Sequence, residues 1–217
     1  VLARMRRPER QRTIREKLAR FRAAVPELAI RTTCIVGFPG ETEDDFQRLL
    51  DFLEEARFDR VGAFTYSPQE GTRAHALPDD VPDVVKRERL ERLTDLQRAI
   101  TAERYEERIG RTALVLVDRA AADGAPAQAR AEWQADDVDG VTWVHTDAPA
   151  GRFVEVTIDE VVDDYDFVAT ARRVLDAPPR AVAPRRARAL PLAAHPSGVG
   201  AAAGVLAPST AIGSYGR

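Results

Sequence analysis

The sequence has a single cysteine, Cys34. No disulfide can form within the chain, which points to a reducing, cytoplasmic setting. One thiol also cannot hold an iron–sulfur cluster or a structural zinc ion. Histidine is nearly as scarce: His75, His145 and His195 are scattered and match no metal-ligand spacing. No metal-binding residue is therefore assigned. Long apolar runs are missing too. None approaches the ~18 residues of a membrane span, and Val1-Leu2-Ala3-Arg4-Met5-Arg6-Arg7 lacks the apolar core of a signal peptide. An initiator methionine is absent, so a fragment of a longer protein is expected.

Charge of one sign is scarce locally. Acids and bases balance through Arg108, but from Ile109 to Thr170 thirteen Asp and Glu stand against only Arg111, Arg119, Arg130 and Arg152. Beyond Thr170 the sign reverses, with seven arginines against Asp176 alone. Such asymmetry bears on partners more than the net charge does.

What is present begins with Ile30 to Val36, mostly β-branched and apolar, as in a buried parallel strand. Gly37-Phe38-Pro39-Gly40 then makes a tight turn, and Thr42 with Asp45 sets a helix cap. A strand, a glycine turn and a helix start form a ligand edge in α/β folds. No Gly-Lys-Ser/Thr follows, which excludes a nucleoside-triphosphate loop. Before this unit, Ile14, Leu18, Phe21 and Val25 mark a helix ended by Pro26. After it, Phe46, Leu49, Leu50 and Leu53 form one helical face, and Phe58 to Tyr66 reads as a second strand. Two βα units in tandem imply a parallel sheet. Two strands cannot close a barrel, so further strands are expected before Val1.

Pro78 to Pro82 mark a break. Val85, Leu90, Leu93, Leu96 and Ile100 then form the stripe of a long helix, whose Glu and Arg suggest a solvated outer position. From Gly110 the period changes. Ala113–Val117, Ala129–Trp133, Val141–Val144, Phe153–Ile158 and Tyr165–Val168 read as short strands, with turns at Asp123-Gly124, Asp139-Gly140 and Pro149-Ala150-Gly151. Five such strands suggest a small oligonucleotide-binding-type barrel. Trp133, Trp143 and Phe153 lack basic companions and read as core rather than as base-stacking platforms. From Leu175 the chain is Ala, Pro, Gly and Arg, a composition that implies disorder.

Thr33-Cys34-Ile35-Val36-Gly37-Phe38-Pro39-Gly40-Glu41-Thr42, Phe58-Asp59-Arg60, Phe64-Thr65-Tyr66-Ser67-Pro68 and Gly71-Thr72 resemble the radical-SAM methylthiotransferases. The β module resembles their TRAM domain, and the resemblance covers about Val1 to Ala171. It implies three regions. Residues 1–107 are the C-terminal part of a radical-SAM (β/α) barrel. Residues 108–171 are a TRAM domain, and residues 172–217 are a disordered tail. Such enzymes use S-adenosyl-L-methionine and two 4Fe-4S clusters, held through a CxxxCxxC motif and an N-terminal domain, to form a 5′-deoxyadenosyl radical and install a methylthio group. Three thiolates per cubane leave one iron open for a ligand. Neither the motif nor that domain is in this sequence, so the chain alone is expected to be inactive, with no catalytic residue of its own.

The resemblance assigns Ile35, Gly37, Gly40, Glu41, Phe64 and Tyr66 to the S-adenosyl-L-methionine edge. A glycine allows close approach, and an apolar or aromatic face packs on adenine. Barrel packing is the plain alternative for these residues, and a helix-start charge for Glu41. One family branch modifies adenosine in transfer RNA; the other modifies an aspartate of small-subunit ribosomal protein twelve. Arg31-Thr32-Thr33, Phe58 to Gly62, Thr65 to Thr72 and Asp164-Tyr165-Asp166-Phe167 resemble the second. The acidic TRAM domain would repel phosphate and attract a basic ribosomal protein. The other readings are a transfer-RNA methylthiotransferase and a non-catalytic protein-binding module.

Overall fold

The computed structural model describes residues 1–177 apart from Pro8 and Asp137. The reading of the Arg-rich tail as disordered falls, from residue 178 on, outside the described residues.

The first region is α/β. Helix α1 is Gln11–Ala24, strand β1 is Arg31–Val36, helix α2 is Glu43–Ala56 and strand β2 is Arg60–Thr65. β1 and β2 are parallel, in register from Arg31↔Arg60 to Val36↔Thr65. A short 3₁₀ turn, Arg73–Ala76, precedes helix α3, Asp83–Glu106. Alternation along β1 sends Thr32, Cys34 and Val36 inward and leaves Arg31, Thr33 and Ile35 exposed. Val36, Phe46, Leu53, Ala56, Phe58 and Leu93 form the core on the inward side. The other side of the strand pair stays open.

The second region is a closed barrel in the order β3-β4-β5-β7-β6. Its strands are β3 Thr112–Arg119, β4 Ala127–Ala131, β5 Thr142–His145, β6 Phe153–Val162 and β7 Asp166–Val174. Closure leaves no unpaired edge: β3 also pairs with β6, and β5 runs parallel to β7. Register breaks near Val117 and Ile158 let the long strands bend. At Asp123-Gly124 both residues have positive φ, 50° and 78°, as a tight hairpin turn requires.

Two features differ from the sequence reading. β7 continues to Val174, paired with Val154, so Arg172, Arg173 and Val174 belong to the barrel and not to a tail. Helix α3 is less solvated than its composition suggests, because Lys86, Arg89, Gln97 and Thr101 are buried. It also joins the two regions. Leu93 lies in the first core, while Tyr105 lies in the second, 4.7 Å from Phe167.

Candidate functional site

β1 ends in a turn that is tied on every side. Gly37 and Gly40 have φ of +71° and +72°, conformations in which a side chain is strained. A Cβ on Gly37 would also overlap the Lys86 stem, and one on Gly40 would overlap the Arg4 guanidinium. The buried Glu41 carboxylate accepts from the Gly37 N–H at 2.8 Å and from Arg89 Nη1 at 2.9 Å. Burial pushes the Glu41 carboxyl up from its ordinary value, and those two donors pull it partly back. The Gly40 N–H donates to Asp80 Oδ1 at 2.6 Å, and Arg4 Nη1 donates to the Pro39 carbonyl at 3.0 Å. Lys86 Nζ pairs with Asp79 at 2.7 Å and Asp83 at 3.4 Å. The backbone between residues 78 and 82 is thus strapped to the turn.

Beside this turn lies an open apolar ledge. Ile35 and Phe64 are cross-strand partners, 41% and 60% exposed. Together they leave an apolar face uncovered on this side of the strand pair. Gly62, also exposed, keeps the surface low beside Phe64. Of the six residues assigned to the edge, Ile35 and Phe64 are brought together, and Gly37 and Gly40 shape the turn. Glu41 and Tyr66 are engaged within the protein. The Tyr66 hydroxyl donates to the Ala74 carbonyl at 2.9 Å, and its ring stands edge-on to Phe38 at 5.1 Å.

At the opposite ends of the same strands, sequence reasoning missed a charged junction with the barrel. Asp139, read from sequence as a turn residue, is 3% exposed at its side chain. Its Oδ2 accepts from Arg31 Nη1 at 3.0 Å and from the Ala135 N–H at 2.9 Å. Arg60 Nε lies 3.3 Å from Oδ1, and Arg60 Nη2 donates to the Asp139 carbonyl at 3.0 Å. The Arg60 guanidinium stacks on the Tyr165 ring at 3.8 Å. Nearby, Asp59 accepts from the Ile30 N–H and from Arg104, and Arg108 stands 3.5 Å from it. The only local signal was that Arg31 and Arg60 begin their strands.

Several barrel acids are engaged internally: Glu155 with Arg173, Asp136 with Arg130, and Asp164 with Arg98. Asp166 accepts from the Val141 N–H and from Trp143 Nε1. Trp133 packs on Phe167 and lies under Arg108 at 4.0 Å, and Phe153 is half-buried. Trp133 is therefore a core residue. Among the described residues no group of three His, Cys, Asp or Glu could hold a metal ion, and no helix is long and apolar enough to cross a membrane.

A family model described as the TRAM domain matches residues 109–178. Curated relatives match a longer stretch. A protein of Methylococcus capsulatus named ribosomal protein uS12 methylthiotransferase RimO is 50% identical over 171 residues, covering 78% of this chain and 38% of that protein. Proteins of the same name from Citrobacter koseri and Proteus mirabilis are each 46% identical, over 169 and 172 residues. They are covered to 77% and 78% of this chain and to 38% of their own lengths. The chain thus spans well under half the length of the relatives it matches.

Proposed function

We propose that the chain belongs to the same methylthiotransferase family as these relatives and forms the C-terminal part of a RimO-type enzyme. Its first region is the end of a radical-SAM barrel, and the whole protein methylthiolates an aspartate of ribosomal protein uS12 in the cytoplasm. The observation that carries this reading is the similarity to such proteins over 171 residues, at 50% identity to one of them.

The open ledge fits S-adenosyl-L-methionine. Ile35 and Phe64 offer an exposed apolar surface for its adenine, beside a turn held rigid by Glu41 and Arg89. With its two 4Fe-4S clusters, that cofactor supplies the radical chemistry, while the protein orients and shields it. The part of this chain is to hold one wall of the pocket. Gly37 and Gly40 keep the wall close, and the Asp80 carboxylate holds the turn in place. Nothing in these residues moves a proton or forms a bond, so the chain alone is inactive in this reading.

The barrel faces the substrate protein. Asp123, Asp147, Glu160 and Asp163 are exposed, and they supply a negative field for a basic ribosomal protein. The test is a chimera in which this chain replaces the matching stretch of the Methylococcus capsulatus relative, with its clusters reconstituted. The expected product is methylthiolated uS12, detected by mass spectrometry. Methylthiolation of transfer RNA in place of uS12 would overturn the substrate, and failure to cleave S-adenosyl-L-methionine would overturn the assignment. Phe64→Ser in the chimera is expected to raise the S-adenosyl-L-methionine KM about tenfold, as loss of one stacked ring of ~1–2 kcal/mol implies.

A further inference from the structure

Charge in the α/β region is balanced overall but not in place. The first twenty-five residues hold nine Arg and Lys against Glu9 and Glu16 alone. Their exposed cations are Arg4, Arg6, Arg7, Arg10, Arg12, Lys17 and Arg20. Arg4 is used on the Pro39 carbonyl, Arg12 lies 3.8 Å from Glu16, and Lys17 lies 4.0 Å from Glu9. Arg6, Arg7, Arg10 and Arg20 have no carboxylate within ion-pair distance among the described residues. By contrast, Arg31, Arg57, Arg60, Arg89, Arg92, Arg98, Arg104 and Arg108, which are tied to the fold, are all paired with carboxylates.

Two other arginines fix the strip to the fold. Arg15 forms an ion pair with Glu55 at 2.7 Å, and Arg22 donates to the Ala56 and Arg57 carbonyls at the end of α2. α1 is therefore held against α2 by its half-buried arginines while the exposed ones face solvent. Lys17 and Arg20 lie on one side of α1, three residues apart, and Arg10 stands at its N-terminal end as the N-cap residue. From Arg10 to Arg20 the helix rises about 15 Å, the length of four or five steps of a duplex strand at ~3.4 Å each. Arg6 and Arg7, both exposed, precede it in the chain and follow Arg4, which touches the Gly37–Gly40 turn.

We propose that this strip, and not the TRAM barrel, is an RNA-binding surface, with Arg6, Arg7, Arg10 and Arg20 on phosphates. The proposal rests on the reading that the substrate is a ribosomal protein, because such a protein is held in RNA. The enzyme then meets its substrate as a ribonucleoprotein: the acidic barrel faces the basic protein, and the basic strip faces the RNA around it. Phosphate contacts of this kind position a protein without reading sequence.

The test uses the full chain and a fluorescein-labelled RNA hairpin, followed by anisotropy from low to moderate potassium chloride. Binding is expected to weaken linearly in log salt. The variant with Arg6, Arg7, Arg10 and Arg20 all changed to Gln is expected to lose at least about tenfold in affinity. Its salt slope should fall by about three to four, near 0.9 per lost phosphate contact. Its far-ultraviolet circular dichroism melt should match that of the parent. A second variant, Arg180, Arg185, Arg186 and Arg188 to Gln, should bind as the parent does. The proposal is overturned if the parent does not bind, if the first variant binds like the parent, if the second carries the loss, or if poly-glutamate binds the strip as well as RNA does. No S-adenosyl-L-methionine enters this assay, so a chimera that methylthiolates free uS12 while its RNA binding fails would sink this proposal alone.

Discussion

Gly37 shows how one residue sets a local geometry. Its φ of +71° is a region that a side chain enters at ~1–2 kcal/mol, and the space for a Cβ is filled by Lys86, whose ammonium is fixed by Asp79. Gly37→Ala is expected to cost about 2–3 kcal/mol in urea denaturation. Gly71 is the internal control: its φ is +78° but nothing lies within 4 Å of the added carbon, so Gly71→Ala should cost only about 1 kcal/mol. Equal losses at the two positions would show that backbone strain alone matters. Cys34 gives a second prediction at this scale. Burial pushes its thiol up to about 11. An unfolded cysteine ionises near ~8.5, so at that pH the native thiolate fraction is roughly a hundredfold smaller. Reaction with Ellman's reagent should be slower by about that factor in the native protein than in urea. Because the folded value is the raised one, the stability linked to this thiol is present below about 8.5 and is lost as the pH rises toward about 11. Equal reaction rates in the native and unfolded protein would contradict the burial.

Among the elements, α2 was legible from its first residues. The Thr42 hydroxyl accepts from the Asp45 N–H at 3.1 Å, and the Asp45 carboxylate accepts back from the Thr42 N–H at 3.3 Å. Thr42→Ala is expected to lower stability by about 1 kcal/mol, with Thr42→Ser close to neutral; a chemical denaturation midpoint measures both. The strands, the helical stripes and the five-stranded barrel were readable for the same reason: periodicity and turn chemistry are local properties of sequence. The polar face of α3 was not. Arg89 meets Glu41 and Arg104 meets Asp59 across more than forty residues, and composition cannot tell a buried paired arginine from a solvated one. The end of β7 was misread because Arg172 and Arg173 look like tail. Arg172 Nε donates to the Thr157 hydroxyl and Arg173 pairs with Glu155, both on the neighbouring strand. At the candidate site, Ile35 and Phe64 could be named from their motif. The engagement of Tyr66 with Ala74 and of Glu41 with Gly37 and Arg89 depended on the path of a loop that no spacing encodes.

At the scale of the whole molecule, the two regions are joined by a helix that enters both cores and by a carboxylate that reaches both strands. Asp139 is the group on which that second link depends. Its two arginine partners differ in exposure, Arg60 at 16% and Arg31 at 43%. Removing the carboxylate leaves Arg60 half-buried beside the Tyr105 and Tyr165 rings with no acid partner, whereas removing Arg31 leaves Asp139 still ion-paired with Arg60 and bonded to the Ala135 N–H. Asp139→Ala should therefore cost about 2–4 kcal/mol, toward the range for breaking a buried pair. Arg31→Ala should cost at most about 1 kcal/mol, as for an exposed pair. The link also predicts a change in cooperativity. With Asp139 present, the strand pair and the barrel share one transition; without it, the coupling falls to Tyr105 on α3, the Arg98–Asp164 pair and the contacts of Arg60 with the Tyr165 ring and the residue-139 carbonyl. The barrel closes on itself and has its own core, so it should outlast the α/β region as urea rises. Tryptophan fluorescence, which reports only on the barrel through Trp133 and Trp143, should then shift to a higher midpoint than far-ultraviolet circular dichroism in Asp139→Ala, while the two coincide in the parent chain. Coincident midpoints in the variant would mean that the remaining contacts suffice to make the two regions one cooperative unit, and that the Asp139 carboxylate adds stability without coupling.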